Sequence, residues 1–510
     1  MQKKECRGSI TVFLSLISVI FLSLICTVIE SARVQGARAQ TANITDMANY
    51  SVFGEDEKKL LEDYELFAVD GSCGTGDFSI DRINDRLKMY LSCNAQPKQE
   101  ILTGFCFDPW QLQLEESEIT EYALLTDQNG EAFYQQAVSF MKATAVPQTT
   151  GKLIQYYQDA RTAEKGQKKY EKEKNSSERE MKELEKQEDE KKKELEEQKS
   201  QAEDGNVLVP VEEVKPENPL KMVNKLRKKS LLQIVCGSAQ LSEKKVTGSE
   251  LASKHSWKKG KMKLNQPHRG LVSDLLFREY LLDRFPHYLS SESCGKLDYQ
   301  MEYILCGKYS DQANLKGVVQ KLLLLREGMN YLYCVENGEM NGQAGSLAAL
   351  LIGWTGIPAL TAIMKHALLL GWAYGESLLD VKTLLDGGKI PLTKTPQTWI
   401  VTLDHLGQLA ELLEKNGSGR QEGMNYREYL RILLQLQLLS AQKKRALDMI
   451  ELNLQSFAGL SNFRVNHCIV GIKNRTEWTI EPVFLRVPAA FLRTGTRGWE
   501  LSVKSGFAYD

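Results

Sequence analysis

The first feature along the chain is an unbroken apolar run. Residues 10–29 read Ile-Thr-Val-Phe-Leu-Ser-Leu-Ile-Ser-Val-Ile-Phe-Leu-Ser-Leu-Ile-Cys-Thr-Val-Ile, with no charge. At about 1.5 Å per residue this covers roughly 30 Å, one hydrocarbon core, and it predicts a transmembrane helix. A secretory signal would carry a shorter apolar region of about 7–15 residues. The nearest small-x-small site, Ala37-Arg-Ala39, lies well past the apolar end, so a retained anchor is expected. Cys26 follows Ile25 rather than the small residue that lipoprotein processing requires. Thr11, Ser15 and Ser18 share one helix face; helix packing in lipid could use them, but simple tolerance is the plainer reading. Beyond Glu30, small and apolar positions such as Ala37, Ile44 and Met47 keep helical spacing without a proline. The helix is therefore expected to continue as a stalk over residues 30–69.

The pattern then changes. A turn cluster, Asp70-Gly-Ser-Cys-Gly-Thr-Gly76, lacks the Gly-Lys-Ser/Thr ending of a phosphate loop. It begins like an Asp-x-Ser-x-Ser metal-adhesion motif, but Gly74 replaces the second Ser, which leaves a surface turn. A helix over 80–91, strands over 101–110 and 112–114, and a turn at 126–130 before a helix over 131–143 predict a small α+β region at 70–150. Residues 165–203 alternate Lys and Glu. Met181, Leu184, Glu188, Lys191 and Leu195 occupy a 3-4-3-4 grid, but two of them are charged, too poor a seam for a stable coiled coil. Residues 151–203 are expected to form a solvated charged helix or a weak coiled coil. Residues 204–220, with Pro210, Pro216 and Pro219, read as a linker.

Residues 221–460 show apolar spacing at three and four, as over 314–332, 357–374 and 426–454, and predict a helical domain. Residues 344–363 are uncharged and resemble a second span, but Gly353, Gly356 and Pro358 interrupt them; buried bundle helices are the better reading. Residues 461–510 carry three β-rich runs, 463–472, 478–487 and 499–503, expected to form a small sheet closing the helical domain. The fold class is thus mainly α with minor β (α+β): an N-terminal transmembrane helix extended into a stalk, a large helical ectodomain and a small C-terminal sheet.

Composition sharpens this little. In 510 residues the formal net charge is −1, which gives no reason to expect a nucleic-acid partner. Basic runs at 225–229 and 254–263 read first as solvated faces, with contact to an anionic wall polymer or lipid headgroups as the functional alternative. Lys3, Lys4 and Arg7 precede the apolar run, which favours a short cytoplasmic N-terminus, residues 1–9, with the bulk of the chain extracytoplasmic in the cell membrane. Ten cysteines include no C-x-x-C pair, and no Cys/His cluster has zinc spacing, so neither metal nor cofactor is expected. Nucleophile–base, H-E-x-x-H, P-loop and dinucleotide motifs are missing. Glu376 and Asp380 share a helix face, a pairing more often of cap or ion-pair type than acid–base. No catalytic residue is assigned and a non-enzyme is expected.

Several motifs carry a resemblance: Arg7-Gly-Ser-Ile-Thr-Val-Phe-Leu-Ser-Leu16, Leu60-Leu-Glu-Asp-Tyr-Glu-Leu-Phe67, Glu302-Tyr-Ile-Leu-Cys-Gly-Lys308, Trp372-Ala-Tyr-Gly-Glu-Ser377 and Tyr426-Arg-Glu-Tyr-Leu-Arg-Ile-Leu433. The chain resembles uncharacterised membrane proteins of Gram-positive bacteria found with tight-adherence (Tad, or Flp pilus) genes. Its N-terminus is similar to that of TadE/TadG-like pseudopilins. That similarity implies prepilin-peptidase cleavage between Gly8 and Ser9. Pseudopilins usually carry a Glu a few residues into the helix, and residues 9–29 have none, which argues against a major polymerising pilin. The resemblance implies a structural or assembly component, with the lipid bilayer and other Tad/Flp pilus or secretion components as partners. The alternative is a membrane-tethered binding protein for a peptide, glycan or protein.

Overall fold

In a computed structural model, helix α1 (Arg7–Phe53) runs without a break through the point where its sequence changes character. Its 47 residues rise about 70 Å. Most side chains up to residue 29 are exposed, with Ile10, Phe13 and Phe21 each above 60%. From Glu30 onward one face disappears into a folded unit: Val34, Ala37, Thr41, Ile44, Thr45, Ala48, Asn49 and Val52 are buried. Among the described residues α1 is the one helix long and apolar enough to cross a membrane.

The structure describes residues 7–96, 108–144, 147–201, 218–237, 239–290, 295–355, 357–415, 422–486, 489 and 497–509. They form two compact units, mainly α with one small antiparallel sheet. Most of the expected cytoplasmic N-terminus, the first part of the 101–110 strand and most of the 204–220 linker lie outside these residues.

The first unit joins distant stretches: residues up to 140, 251–268 and 447–510. Besides α1 it holds α2 (Lys58–Tyr64), α3 (Ile80–Ala95), α4 (Asp127–Thr144, continuing past the unit's edge) and strands β1 (Val69–Asp70), β2 (Leu112–Leu124), β3 (Cys468–Ile480) and β4 (Trp499–Ala508). Strand β3 is central. It pairs antiparallel with β2 along one edge and with β1 and then β4 along the other. One face of the sheet meets α1 and α3 in a core of Ile44, Ala48, Val52, Ile83, Leu87, Leu91, Leu124, Ile472 and Trp478. The other face is polar, with ion pairs such as Lys473–Glu121 (2.7 Å).

Two expectations change here. Residues 30–53 are not a free stalk but the core helix of this unit, because its small side chains let the sheet approach. The sheet does not close the helical domain; it is built on α1, and two of its strands come from the N-terminal third. Strand β3 also fuses the expected 463–472 and 478–487 runs. The polar residues between them look like a turn, but Asn474 and Thr476 point inward and are buried. Thr476 meets Thr45 (3.3 Å), and Asn474 and Asn49 exchange amide hydrogen bonds (3.0 and 3.4 Å). The Trp478 indole donates to Thr476 Oγ1 (2.9 Å). A polar stripe on α1 thus matches a polar stripe on β3, leaving these buried groups paired.

The second unit, residues 141–250 and 269–446, is helical. It comprises α5 (Pro147–Gln201), α6 (Leu220–Arg227), α7 (Leu231–Cys236), α8 (Leu271–Arg284), α9 (Gln300–Cys306), α10 (Asp311–Glu336), α11 (Gly338–Ile352), α12 (Pro358–Leu385), α13 (Leu409–Lys415) and α14 (Tyr426–Gln435). Helix α15 (Leu439–Leu454) begins in this unit and ends in the first. The first half of α5 is not a solvated spacer. Leu153, Ala160, Ala163 and Tyr170 are buried. At Gly166 and Gly328 the backbones of α5 and α10 cross so closely that a Cβ on Gly328 would sit 2.7 Å from Gln167 N. The 344–363 stretch is shared by two helices, one ending at Ile352 and the next starting at Pro358, with Ala344, Ala348, Ile352 and Leu360 buried.

Ala48 tests the role assigned to α1. Ala48→Leu forces three extra carbons between helix and sheet and is expected to cost about 1–3 kcal/mol in chemical denaturation. An unchanged midpoint would restore the free-stalk reading.

Candidate functional site

Besides the expected cleavage bond, four places hold the chemistry. The expected cleavage bond between Gly8 and Ser9 lies in the first turn of α1. Near the boundary between exposed and buried α1 stands a buried ion pair that sequence reasoning did not single out. Arg33 Nε donates to Glu30 Oε1 (2.9 Å); Nη1 donates to the Trp110 and Pro109 carbonyls (2.8 and 3.1 Å) and Nη2 to the Glu481 carbonyl (2.5 Å). Glu30 Oε2 accepts the Phe484 and Val483 N–H groups (2.6 and 3.3 Å). The pair pins two loops to α1 just past the apolar run, and its i, i+3 spacing is visible in sequence.

The Asp70 turn is closed on itself. Asp70 Oδ1 accepts from Ser72 N (2.9 Å), and Oδ2 accepts from Ser72 Oγ (2.7 Å) and Gly74 N (2.8 Å). The carboxylate caps its own turn, of which Gly71 and Ser72 are buried and Gly74 and Thr75 are exposed. Among the described residues no group of three or more His, Cys, Asp or Glu could hold a metal ion. The seven described cysteines are free thiols.

The helical unit brings Glu376 and Asp380 of α12 together with Arg326 of α10 and Lys394, all with fully buried side chains. Arg326 Nε donates to Asp380 Oδ2 (3.0 Å), and Lys394 Nζ donates to Asp380 Oδ1 (2.6 Å) and to Glu376. Asn330 adds a bond to Asp380 (2.9 Å). Arg326 Nη1 also holds the Leu392 and Pro391 carbonyls (2.7 and 3.0 Å), and Glu376 Oε2 accepts the Val401 and Ile400 N–H groups (2.8 and 3.1 Å). Burial works to raise the Asp380 pKa, but Arg326 and Lys394 outweigh it and hold the carboxyl low. Burial and the neighbouring Asp380 charge raise Glu376, against Lys394. Two cations and two carboxylates balance, and the quartet clamps the 391–401 loop onto α10 and α12. It is an ion-pair lock, as the sequence pattern suggested, and every carboxylate oxygen is engaged inside the fold.

The fourth place is an open polar cleft of about 560 Å³, lined by Ser242, Lys244, His287, Tyr288, Asp298 and Tyr299 among others. Asp311, at the start of α10, organises its floor by accepting from Ser242 Oγ (2.7 Å), Asp298 N (2.9 Å) and Tyr299 N (3.1 Å). Lys244 Nζ reaches Asp298 (2.7 Å). Behind Tyr288, Glu302 is fully buried; Oε1 accepts from the Tyr426 hydroxyl (2.6 Å) and Tyr288 N (2.9 Å), while Oε2 has no partner. Burial raises its pKa to about 7. Burial and then Arg427 lower that of His287 to about 4. At neutral pH the cleft therefore offers hydrogen-bonding groups, the Lys244–Asp298 ion pair and the acidic side chain of Glu243. Its residues are scattered in sequence over 240–311, and only the separate motif at 302–308 marked any of them.

A model of a protein family of unknown function, DUF5702, matches residues 210–480, over half of the chain. The chain belongs to this DUF5702 family. The DUF5702 region contains both the quartet and the cleft, and also β3, while α1 lies before it. No curated protein and no solved structure matches the chain.

Two outcomes follow from the buried charges. Lys394→Met leaves two carboxylates facing one cation and is expected to cost about 3–5 kcal/mol of stability, read by urea denaturation. Glu302 has a folded pKa of about 7 against an ordinary 4.5. Below 4.5 it is protonated folded and unfolded alike, so its contribution is fully present; between 4.5 and about 7 only the unfolded state releases the proton, and stability falls as pH rises. Glu302→Gln keeps an acceptor for Tyr288 and Tyr426 and should remove that slope. Denaturation midpoints across this range check it, and parallel curves for parent and variant would contradict it.

Proposed function

We propose that the protein is a non-enzymatic, membrane-anchored envelope protein that acts as a structural or assembly component of a Tad/Flp-type pilus or adherence apparatus. In this reading the N-terminus is cytoplasmic and both folded units are extracytoplasmic, consistent with Lys3, Lys4 and Arg7 before the span. The observation that carries the proposal is the continuity of α1. One helix is exposed and apolar over residues 10–29 and then becomes the core helix of an antiparallel-sheet unit. An apolar half feeding a packed amphipathic half is the pilin-type layout, and it agrees with the Arg7-Gly-Ser start of the helix. The first acidic residue after the apolar run, Glu30, is consumed by Arg33 and by the 483–484 backbone. It is not free to register a neighbouring subunit, which fits an anchoring or assembly role better than that of a polymerising pilin.

A second reading, a membrane-tethered binding protein, is favoured by the polar cleft beside Asp311. There the ligand would be a small polar group or peptide end held by Lys244, Asp298 and the hydroxyls around them.

Isolating the protein from membranes together with its neighbours decides between them. Recovery of the secretion ATPase, platform or pilin subunits, and loss of filaments or adherence on gene deletion, are the expected results. Normal filaments and adherence in the deletion strain would overturn the pilus role. N-terminal sequencing adds the state of the anchor: a mature chain starting at Ser9 places it with processed pseudopilins, and an uncut bond leaves a retained single-pass anchor.

A further inference from the structure

Helices α11 and α12 meet at an uncharged tip of the second unit. Residues 340–364 hold no Asp, Glu, Lys or Arg. Packing leaves part of this stretch uncovered: Leu350 is 66% exposed, and Ala349, Gly353, Pro358, Ala359 and Ala362 are exposed as well. An open hollow of about 540 Å³ indents the tip, lined by Gly353, Ile357, Pro358, Thr361, Ala362 and Lys365. Exposed apolar surface gathered in one place calls for a partner, whereas single exposed apolar residues do not.

The tip is shallow. On α12 the first charge is Lys365, two turns after Pro358 and about 10 Å along the axis. From Ala367 to Val381 the helix is buried inside the unit. A span needs about 20 apolar residues, so the tip does not cross a bilayer; its depth suits insertion to the headgroup–acyl boundary, roughly 5–10 Å. The break between the helices is also prepared for a dry neighbour. Thr355 is 3% exposed; its hydroxyl donates to the Ile352 carbonyl (2.8 Å) and accepts the Ile357 N–H (3.3 Å). Leu360 N–H reaches the Ile357 carbonyl (3.1 Å), and Pro358 at the helix start has no N–H to leave unpaired. Backbone that meets lipid has to be satisfied internally in this way. Lys365 is half-buried, its stem lying against α11 so that a Cβ on Gly345 would sit 3.7 Å from its Cδ. The cation therefore stands at the rim of the apolar surface with its stem on the protein.

We propose that this tip is a second membrane contact, an interfacial site for a lipid bilayer. Leu350, Pro358 and Ala362 enter the acyl boundary, and Lys365 meets anionic headgroups. Lipid is favoured over a protein partner by three features together: the limited apolar depth, the self-satisfied break and the cationic rim. The inference rests on reading α1 as the membrane span. A chain held at the bilayer by α1 presents its second unit to lipid at high effective concentration, so a weak patch suffices. The tip also gives the uncharged 344–363 stretch a role that is neither a span nor plain core.

The test uses the full chain in nanodiscs of phosphatidylcholine with and without phosphatidylglycerol. A photo-reactive benzophenone side chain is placed at position 350, and lipid adducts are read by mass spectrometry. Lipid adducts at 350 are expected, with none from the same probe at the exposed position 316 on α10. Ala362→Glu, at an exposed position, should lower the adduct yield at 350 roughly tenfold. Lys365→Gln should lower it about fivefold in discs with phosphatidylglycerol and little in phosphatidylcholine alone. A probe at position 14 separates the two readings. Adducts at 14 with none at 350 overturn the tip and leave the anchor standing, while no adducts at 14 overturn the anchor itself. A crosslink from 350 to a second copy or another protein instead of lipid would also overturn the site, and an equal effect of Lys365→Gln in both kinds of disc would overturn the headgroup contact.

Discussion

Helix α1 passes from an exposed apolar surface to a single buried face, and the rest of the first unit is arranged around that change. Residues 10–29 of α1 present apolar side chains on all sides, a stretch long and apolar enough to cross a membrane. From Glu30 the same rod must present one narrow face to a β-sheet, so its inward positions become small or polar: Ala37, Thr41, Thr45, Ala48 and Asn49. The change of environment falls where Arg33 and Glu30 form their buried pair, and the pair is affordable because its hydrogen-bonding groups are taken up by the 109–110 and 481–484 backbone. A flexible linker between span and domain would need none of this. The pair makes sense if the domain is fixed to the end of the span as a continuation of it.

The helical unit follows a different logic. Its helices are amphipathic and meet through ordinary apolar packing, but the 391–401 loop would otherwise lie on α10 and α12 with little to hold it. The Arg326–Asp380–Lys394–Glu376 quartet supplies that hold through six bonds to loop groups, counting both those to Lys394 and those to backbone. Buried charges of this kind are poor sources of stability, but removing any one of them leaves its partner buried and uncompensated. The cleft beside Asp311 is organised in the same way, with a carboxylate collecting three donors so that the surrounding side chains stay in place.

The long apolar N-terminal helix, the helical character of the second unit and the ion-pair nature of Glu376 and Asp380 are legible in sequence because each rests on local spacing. The errors share a cause, which is that polar residues were read as solvent-facing. Asn474 and Thr476 looked like a turn between two strands, yet they are buried against matching polar residues of α1 more than 400 positions earlier in the chain. The first turns of α5 looked like the start of a charged spacer, yet Tyr170 and Gly166 pack on α10. Strand β2 was missed beyond Leu114 because Glu115, Glu116 and Glu118 line its exposed side, so one face of the strand carries its whole apolar signal. The cleft draws on residues separated by dozens of positions, and no single-sequence pattern marks such a convergence.

The first unit depends most on α1 being one rigid element from its apolar half into the domain. Amide hydrogen exchange of the full chain in nanodiscs reads this directly across residues 28–40. Slow exchange is expected throughout this stretch, with amides near Glu30 and Arg33 as protected as those of Ile44 and Ala48. Fast exchange over several consecutive residues after Ile29, with the later helix still protected, would reveal a hinge and contradict it.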